Sequence, residues 1–455
     1  MFRRKIEQVL LDWKKNMDKM PIVIKGCRQC GKTFSVLDFA RKNYGNVVYL
    51  DFFLNPQYKS IFDDSLEIDN ILVNISTLLP NVRIVPGDTC FVFDEIQDCP
   101  RARTSLKFFK IDGRFDVICT GSLLGVSGYR SQDLDDDRFA PVPVGYEKIV
   151  EMYPMDFEEW LWTNGIQEAV FRKLEDCLSS LVPVPEVIHR RMTQLLQQYV
   201  IVGGMPRAVT TFMETHNIQE VVSVQNAIIE GYKTDMLKYA PQPDKSRIRE
   251  CFESIPKQLS RENKKFAYAQ VRANGRGRDY QGSLQWIEDA GIIRKCYNLE
   301  IPELPLDGNA ISEQFKVYMA DTGLFISMLE RETAHDILNG NLFGYKGAIF
   351  ENLIADIFGK MGRKLQRYAE LNAIVFARLF NLLTIISRRD RGQVRVPPSQ
   401  FFLKTFVKSQ CWTVLATSNA IIQLLNKEED MMKEAYAQSI ECEEPCEGRL
   451  SRTVL

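Results

Sequence analysis

Three short apolar runs organise the first third of the chain. Pro21–Lys25, Thr89–Phe93 and Phe115–Thr120 lack the polar alternation of a half-exposed strand and predict strands buried on both faces. After the first run, TFSVLDFARKNY sets Phe34, Leu37 and Ala40 at helical spacing, which predicts a helix. The opening segment, MFRRKIEQVLLDWKK, reads as an amphipathic helix: its basic residues are not followed by the long apolar core of a signal peptide. Further along, VIHRRMTQLLQQYVIV predicts a helix that stops at the turn Gly203-Gly204-Met205-Pro206. SRIRECFESIPKQL and SLQWIEDAGII predict two more, the second ending near Gly291, with the glycine-rich basic stretch VRANGRGRDY between them.

Between the first strand and its helix, Gly26 to Thr33 reads GCRQCGKT and matches G-x-x-x-x-G-K-[ST] in the strand–loop–helix setting that this motif requires. Each position has a physical task. Gly26 and Gly31 allow the tight turning that points successive amides at phosphate oxygens, and the following helix adds the positive end of its dipole. Lys32 supplies a compact charge for the β- and γ-phosphates, and the Thr33 hydroxyl is a ligand for Mg²⁺. Cys27, Arg28, Gln29 and Cys30 contribute backbone, with Arg28 also within reach of ligand. The second run ends in Asp94 and Glu95, an acidic pair at the carboxyl end of a strand, where ligands of parallel α/β sheets bind. Asp94 is the candidate for the Mg²⁺ shell and Glu95 the candidate general base for the attacking water. The third run ends in Gly121-Ser122; Ser122, with Thr120 behind it, is the candidate to reach the γ-phosphate or that water. These residues predict ATP as ligand with Mg²⁺ as cofactor. No N-K-x-D signal for guanine ends a strand.

Composition narrows the class. The chain has 455 residues, 45% of them hydrophobic and 26% charged, with a net charge of −1, which implies two or three domains and gives no global argument for nucleic-acid binding. No apolar stretch of about 18 residues predicts a membrane span. Eleven cysteines without regular spacing read as reduced thiols in a cytoplasmic protein. Cys27 and Cys30 form a CxxC, but no second pair follows at zinc spacing and there are three histidines in all, so they are read as loop residues rather than a metal or redox pair.

These residues resemble the AAA+ superfamily, in which a polar residue ends the strand lying between the phosphate-loop strand and the acidic-pair strand. More closely, GCRQCGKT, VYLDF, FVFDEIQ, LKFF and VICTGSLLG resemble a family of prokaryotic AAA-type ATPases of largely unknown physiological role. Tyr153 to Glu159, Gly203 to Pro206, Lys316 to Leu324 and Gly347 to Asn352 continue the likeness to about residue 368. The resemblance implies an α/β P-loop NTPase fold with an AAA+-like parallel sheet, then a helical lid and winged-helix region and a small α/β carboxyl-terminal domain. The corresponding boundaries are 1–157, 158–243, 244–305 and 306–368, followed by an atypical tail at 369–455. Arg130 and Arg138 are candidate arginine fingers of an oligomer, the 203–206 turn a candidate lid hinge, and Arg207 a candidate nucleotide sensor. Arg272, Arg276 and Arg278 form a candidate DNA contact; a protein partner is the other candidate.

In relatives the carboxyl-terminal domain is similar to restriction endonucleases, and Glu351 matches their helical glutamate. The E-x-D and E-x-K that should follow are missing after Tyr368, where the chain changes character: Arg388, Arg389 and Arg391 cluster, two prolines follow, and the end is acidic. Divergence and a change of reading frame near residue 369 both fit, and both argue against a nuclease. The expected activity is therefore Mg²⁺-dependent ATP hydrolysis coupled to a macromolecular partner, with a slow nucleotide-gated DNA-binding or signalling switch as the alternative.

Overall fold

The computed structural model describes residues 2–122, 145–179, 184–239, 244–261, 264–273, 275–300, 306–329, 346–360 and 366–368. Arg130, Arg138 and the expected tail at 369–455 lie outside the described residues. The chain divides into two units, 1–166 with 194–393 and 167–193 with 394–455.

In the first unit, α1 (Lys5–Lys15) precedes β1 (Ile22–Gly26), α2 (Lys32–Asn43), β2 (Asn46–Asp51), α3 (Ile68–Leu78), β3 (Thr89–Asp94), α4 (Pro100–Asp112), β4 (Asp116–Ser122) and β5 (Lys148–Glu151). The five strands form one parallel sheet in the order β2-β3-β4-β1-β5. This is a P-loop NTPase fold, with β4 between the phosphate-loop strand β1 and the acidic-pair strand β3. The continuous apolar runs serve both sheet faces, as parallel strands covered on two sides require. Phe91 and Phe93 of β3 turn one way, into a cluster with Phe52, Phe62, Phe109 and Phe115 against α3 and α4. Cys90 and Val92 turn the other way, to meet Leu10 and Trp13 of α1 and Val36 and Phe39 of α2. The Phe91–Phe109 and Phe91–Phe115 rings sit 5.4 Å apart, a spacing at which aromatic pairs add about 1 kcal/mol each beyond their burial. On α2 the buried face is Val36, Phe39 and Ala40, whereas Phe34 is 63% exposed. The spacing of Phe34, Leu37 and Ala40 thus identified the helix and, through Ala40 and the partly buried Leu37, part of its inner face, but Phe34 lies outside it.

The chain continues through α5 (Phe157–Thr163) and, in the second unit, α6 (Glu168–Ser179), which buries Phe171, Leu174 and Cys177 at helical spacing. Helix α7 (Glu186–Val202) begins in that unit and ends in the first. There α8 (Pro206–Thr215), α9 (Ile218–Tyr239), α10 (Lys245–Leu259) and α11 (Gly277–Asp289) lead into β6 (Ile293–Leu299) and β7 (Ala310–Met319). Short α12 (Thr322–Ser327), α13 (Lys346–Lys360) and β8 (Gln366–Tyr368) follow. β6 pairs antiparallel with β7 and parallel with β8. The expected boundary at residue 305 therefore falls inside the β6–β7 hairpin, whose ladder ties the two sides together. The basic stretch keeps its expected place. It lies between α10 and α11, with Arg272 in the loop before α11, Arg276 at its N-cap and Arg278 in its first turn.

The later shared motifs turn out to be joints. Gly204 donates its N–H to Asp321 Oδ2 at 2.7 Å and accepts from Met155 N–H at 2.7 Å. A Cβ on Gly204 would come within 2.0 Å of the Met155 carbonyl, and one on Gly203, which sits at φ 71°, within 2.3 Å of Asp321. Asp321 also caps α12 through Leu324 N–H at 3.0 Å. Asn352 accepts from Met319 N–H at 2.8 Å and returns a bond to its carbonyl at 3.2 Å. The 203–206 turn, expected as a hinge, is instead wedged between Met155 and Asp321: glycine is needed there for close approach.

Candidate functional site

The carboxyl ends of β1, β3 and β4 bring the expected residues together. Gly31 N-caps α2 with φ 95°, and Gln29 also takes a left-handed conformation at φ 63°. Gly26 has no room for a side chain: a Cβ would lie 2.3 Å from the Met152 carbonyl just past β5. The Lys32 ammonium, buried, donates to the carbonyls of Gly26 and Cys27 at 3.0 Å each. Its charge is thus held over the concave side of the loop.

Asp94 is the hub. Thr33 donates its hydroxyl to Oδ1 at 3.1 Å, Tyr49 donates to Oδ2 at 2.8 Å, and Thr120 donates to Oδ1 as well. The Glu95 amide closes the set at 3.1 Å. Hydroxyls and an amide orient a carboxylate without cancelling its charge, so Thr33 and Asp94 form a fitting pair of oxygen donors for a hard divalent cation. Among the described residues no group of three or more His, Cys, Asp or Glu side chains makes a metal site by itself.

Glu95 follows in a left-handed conformation, φ 52°, which costs a β-carbon residue about 1 kcal/mol or more. Gln97 donates to its Oε2. Burial pushes the Glu95 carboxyl upward, while the Gln97 hydrogen bond and the charges of Lys32 and Arg28 pull it back. Ser122 ends β4 in register with Gly26, and Thr120, two residues back on the same strand face, has its hydroxyl on Asp94. Thr120 is thus bonded into the acidic pair's network.

Cys27 and Cys30 are both buried inside the loop. The Cys27 thiol's hydrogen bond, helped by Lys32 and Arg4, brings Cys30 down to about 6, and Cys27 is correspondingly raised.

Several partners had no signal in the sequence. Arg4 donates to the Cys30 carbonyl at 3.0 Å and the Tyr153 carbonyl at 2.7 Å, and pairs with Glu159 at 3.1 Å. Glu159 and Asp156 form a capping box on α5, so the motif Tyr153–Glu159 braces the loop from behind through Arg4. Tyr49 belongs to VYLDF, a stretch whose resemblance was visible but whose contact with Asp94 was not. Pro206 packs on the loop, its Cγ 3.4 Å from where a Cβ on Gly31 would stand, whereas Arg207 beside it is exposed.

Glu351, matched to a nuclease glutamate, lies elsewhere and is engaged otherwise: Lys264 and Lys316 donate to it at 2.7 and 2.8 Å and Tyr318 at 3.1 Å. No helix among the described residues is long and apolar enough to cross a membrane.

Residues 18–161 match the family model described as AAA domain, and residues 193–335 match a domain of unknown function (DUF8612). Solved structures with some likeness include a Walker-type ATPase of Pyrococcus abyssi, at 13% identity and TM-score 0.42, over 72% of this chain and 96% of that one. AMPPCP-bound DnaA from Aquifex aeolicus covers 62% of this chain and 86% of its own at 13% identity and TM-score 0.27. A DNA replication initiation factor covers 63% and 90% at 13% identity and TM-score 0.21. No curated protein matches the chain. The first part of the chain thus combines a P-loop NTPase fold with a match to the AAA domain model, and the region after it matches a domain of unknown function.

Proposed function

We propose that this site binds ATP with Mg²⁺ and hydrolyses it, and that the nucleotide state is passed to the region 193–335 to act on a macromolecular partner. The observation that carries the reading is the meeting of the Thr33 hydroxyl with the Asp94 carboxylate at 3.1 Å, with Glu95 next in the chain. The amides of Gly26, Cys27, Arg28, Gln29, Cys30 and Gly31 surround the phosphates, and Lys32 exchanges its loop carbonyls for β- and γ-oxygens. Thr33 and Asp94 would hold the Mg²⁺, Asp94 through water, and the ion would supply charge to balance the triphosphate. Glu95 orients a water for in-line attack on the γ-phosphorus and accepts its proton, with Thr120 or Ser122 fixing the water or the γ-phosphate. The eight cysteines among the described residues are buried thiols outside any disulfide, which suits a reducing, cytoplasmic setting.

A second reading, a slow nucleotide-gated DNA-binding switch, draws on the exposure of Arg272, Arg276 and Arg278 around the start of α11. ATP turnover by the purified chain, with and without duplex DNA and beside a Lys32→Ala control, tests both. Turnover that Lys32→Ala abolishes supports hydrolysis at this loop. Stimulation by DNA, with an affinity that falls steeply with salt, favours nucleic acid as the partner, and no DNA binding at low salt favours a protein. Turnover that survives Lys32→Ala would remove the site assignment.

A further inference from the structure

Helix α9 reaches the phosphate loop at Arg28 and Gln29, the two loop residues with the longest side chains in the middle of the motif. Arg28 pairs through Nη1 with Asp235 of α9. One turn earlier on the helix, the buried Tyr232 donates its hydroxyl to the Arg28 carbonyl at 3.2 Å. Beside it, Gly231 faces Gln29 so closely that a Cβ there would stand 3.6 Å from Gln29 Nε2. The backbone of the loop is thus tied to α9 by Tyr232, while the guanidinium is tied separately by Asp235.

The two ties differ in kind. The tyrosine bond is buried and to backbone, so it positions the loop whatever the loop carries. The arginine side chain is 42% exposed and its ion pair is correspondingly weak, because solvent screens it. Arg28 is also near enough for its charge to act on Glu95. A planar guanidinium with five donors, paired with a helix carboxylate, prefers the anion that offers more charge and bidentate geometry. The terminal phosphate of a nucleoside triphosphate is such an anion, and a nucleoside diphosphate lacks it.

We propose that Arg28 contacts the γ-phosphate of the bound triphosphate, and that Asp235 is the competing counter-ion through which α9 registers whether that phosphate is present. This rests on the ATP reading above and adds to it a triphosphate-sensing arginine in cis and the helix that receives its signal. Helix α9 lies within the region 193–335, so one ion pair links the nucleotide to the domain of unknown function.

The test is the affinity of the full chain for a non-hydrolysable ATP analogue and for ADP, both with Mg²⁺, measured by fluorescence titration. Arg28→Ala should cost about tenfold or more in analogue affinity and no more than about twofold in ADP affinity, and Arg28→Lys should recover part of the loss. Asp235→Asn, which removes the competing carboxylate charge, should strengthen analogue binding several-fold and leave ADP binding alone; combined with Arg28→Ala it should add nothing. An Arg28→Ala variant that weakens both nucleotides equally, or neither, would overturn the proposal, as would weaker analogue binding by Asp235→Asn. If Lys32→Ala abolishes binding while Arg28→Ala does not alter the analogue-to-ADP ratio, only this proposal falls. If the unaltered chain binds neither nucleotide, the ATP reading falls and takes this one with it.

Discussion

Asp94 and Glu351 are both carboxylates drawn in from solvent and gathered by three or more donors, yet they are built for opposite ends. Asp94 is held by the hydroxyls of Thr33, Tyr49 and Thr120 and by the Glu95 amide, which direct its lone pairs and leave its charge standing. Glu351 is met by two ammonium groups and a phenol, and Lys316 and Lys264 hold its carboxyl below the usual range against the opposing effect of burial. A carboxylate whose charge is answered within the fold has nothing left for an incoming cation. The pairing therefore separates a cluster suited to a ligand from one that holds β7 and α13 together.

The sharpest way to break that comparison is to remove charge from each side. Lys32→Ala should lower ATP affinity by a hundredfold or more, about 3 kcal/mol, since the β- and γ-phosphates lose their fixed cation. Glu351→Gln should change ATP affinity by less than about twofold. Equilibrium nucleotide titration reads both, and a large nucleotide effect from Glu351→Gln would erase the distinction. Stability should show the reverse order. Asn352→Ala leaves the Met319 amide and carbonyl unpaired in a buried joint and should cost about 3 kcal/mol in denaturant unfolding. Glu351→Gln should cost about 2 kcal/mol at neutral pH. Because the folded carboxyl titrates below its ordinary 4.5, its contribution is present above that pH and is lost as pH falls through the folded value. The difference between the unaltered chain and Glu351→Gln should accordingly shrink on acidification, and an unfolding series across pH 3 to 7, a window on the order of the carboxylate range, measures it.

The phosphate loop was legible because its glycines, lysine and threonine are a local pattern, set between a strand and a helix that periodicity also shows. Strand ends Asp94 and Glu95 were legible for the same reason. The full inward face of α2 was not: Phe34 fits a helix as well as Val36 and Phe39, and the sheet decides between them. Nor were the joints readable. Gly203-Gly204 looks like a flexible turn until Met155 and Asp321 are seen pressed against it, and nothing near Arg28 in sequence points to Asp235, 207 positions away. The basic stretch 271–280 and its place before α11 were legible, but the β6–β7 hairpin that follows is a pairing that no local pattern specifies.

The central claim is that Glu95 activates water at an ATP site formed by Gly26–Thr33 and Asp94. Single-turnover hydrolysis of ATP by Glu95→Gln, alongside equilibrium ATP binding, tests it most directly. The claim predicts ATP affinity within about threefold of the unaltered chain and hydrolysis slowed by a hundredfold or more. Hydrolysis by Glu95→Gln at the unaltered rate would contradict it.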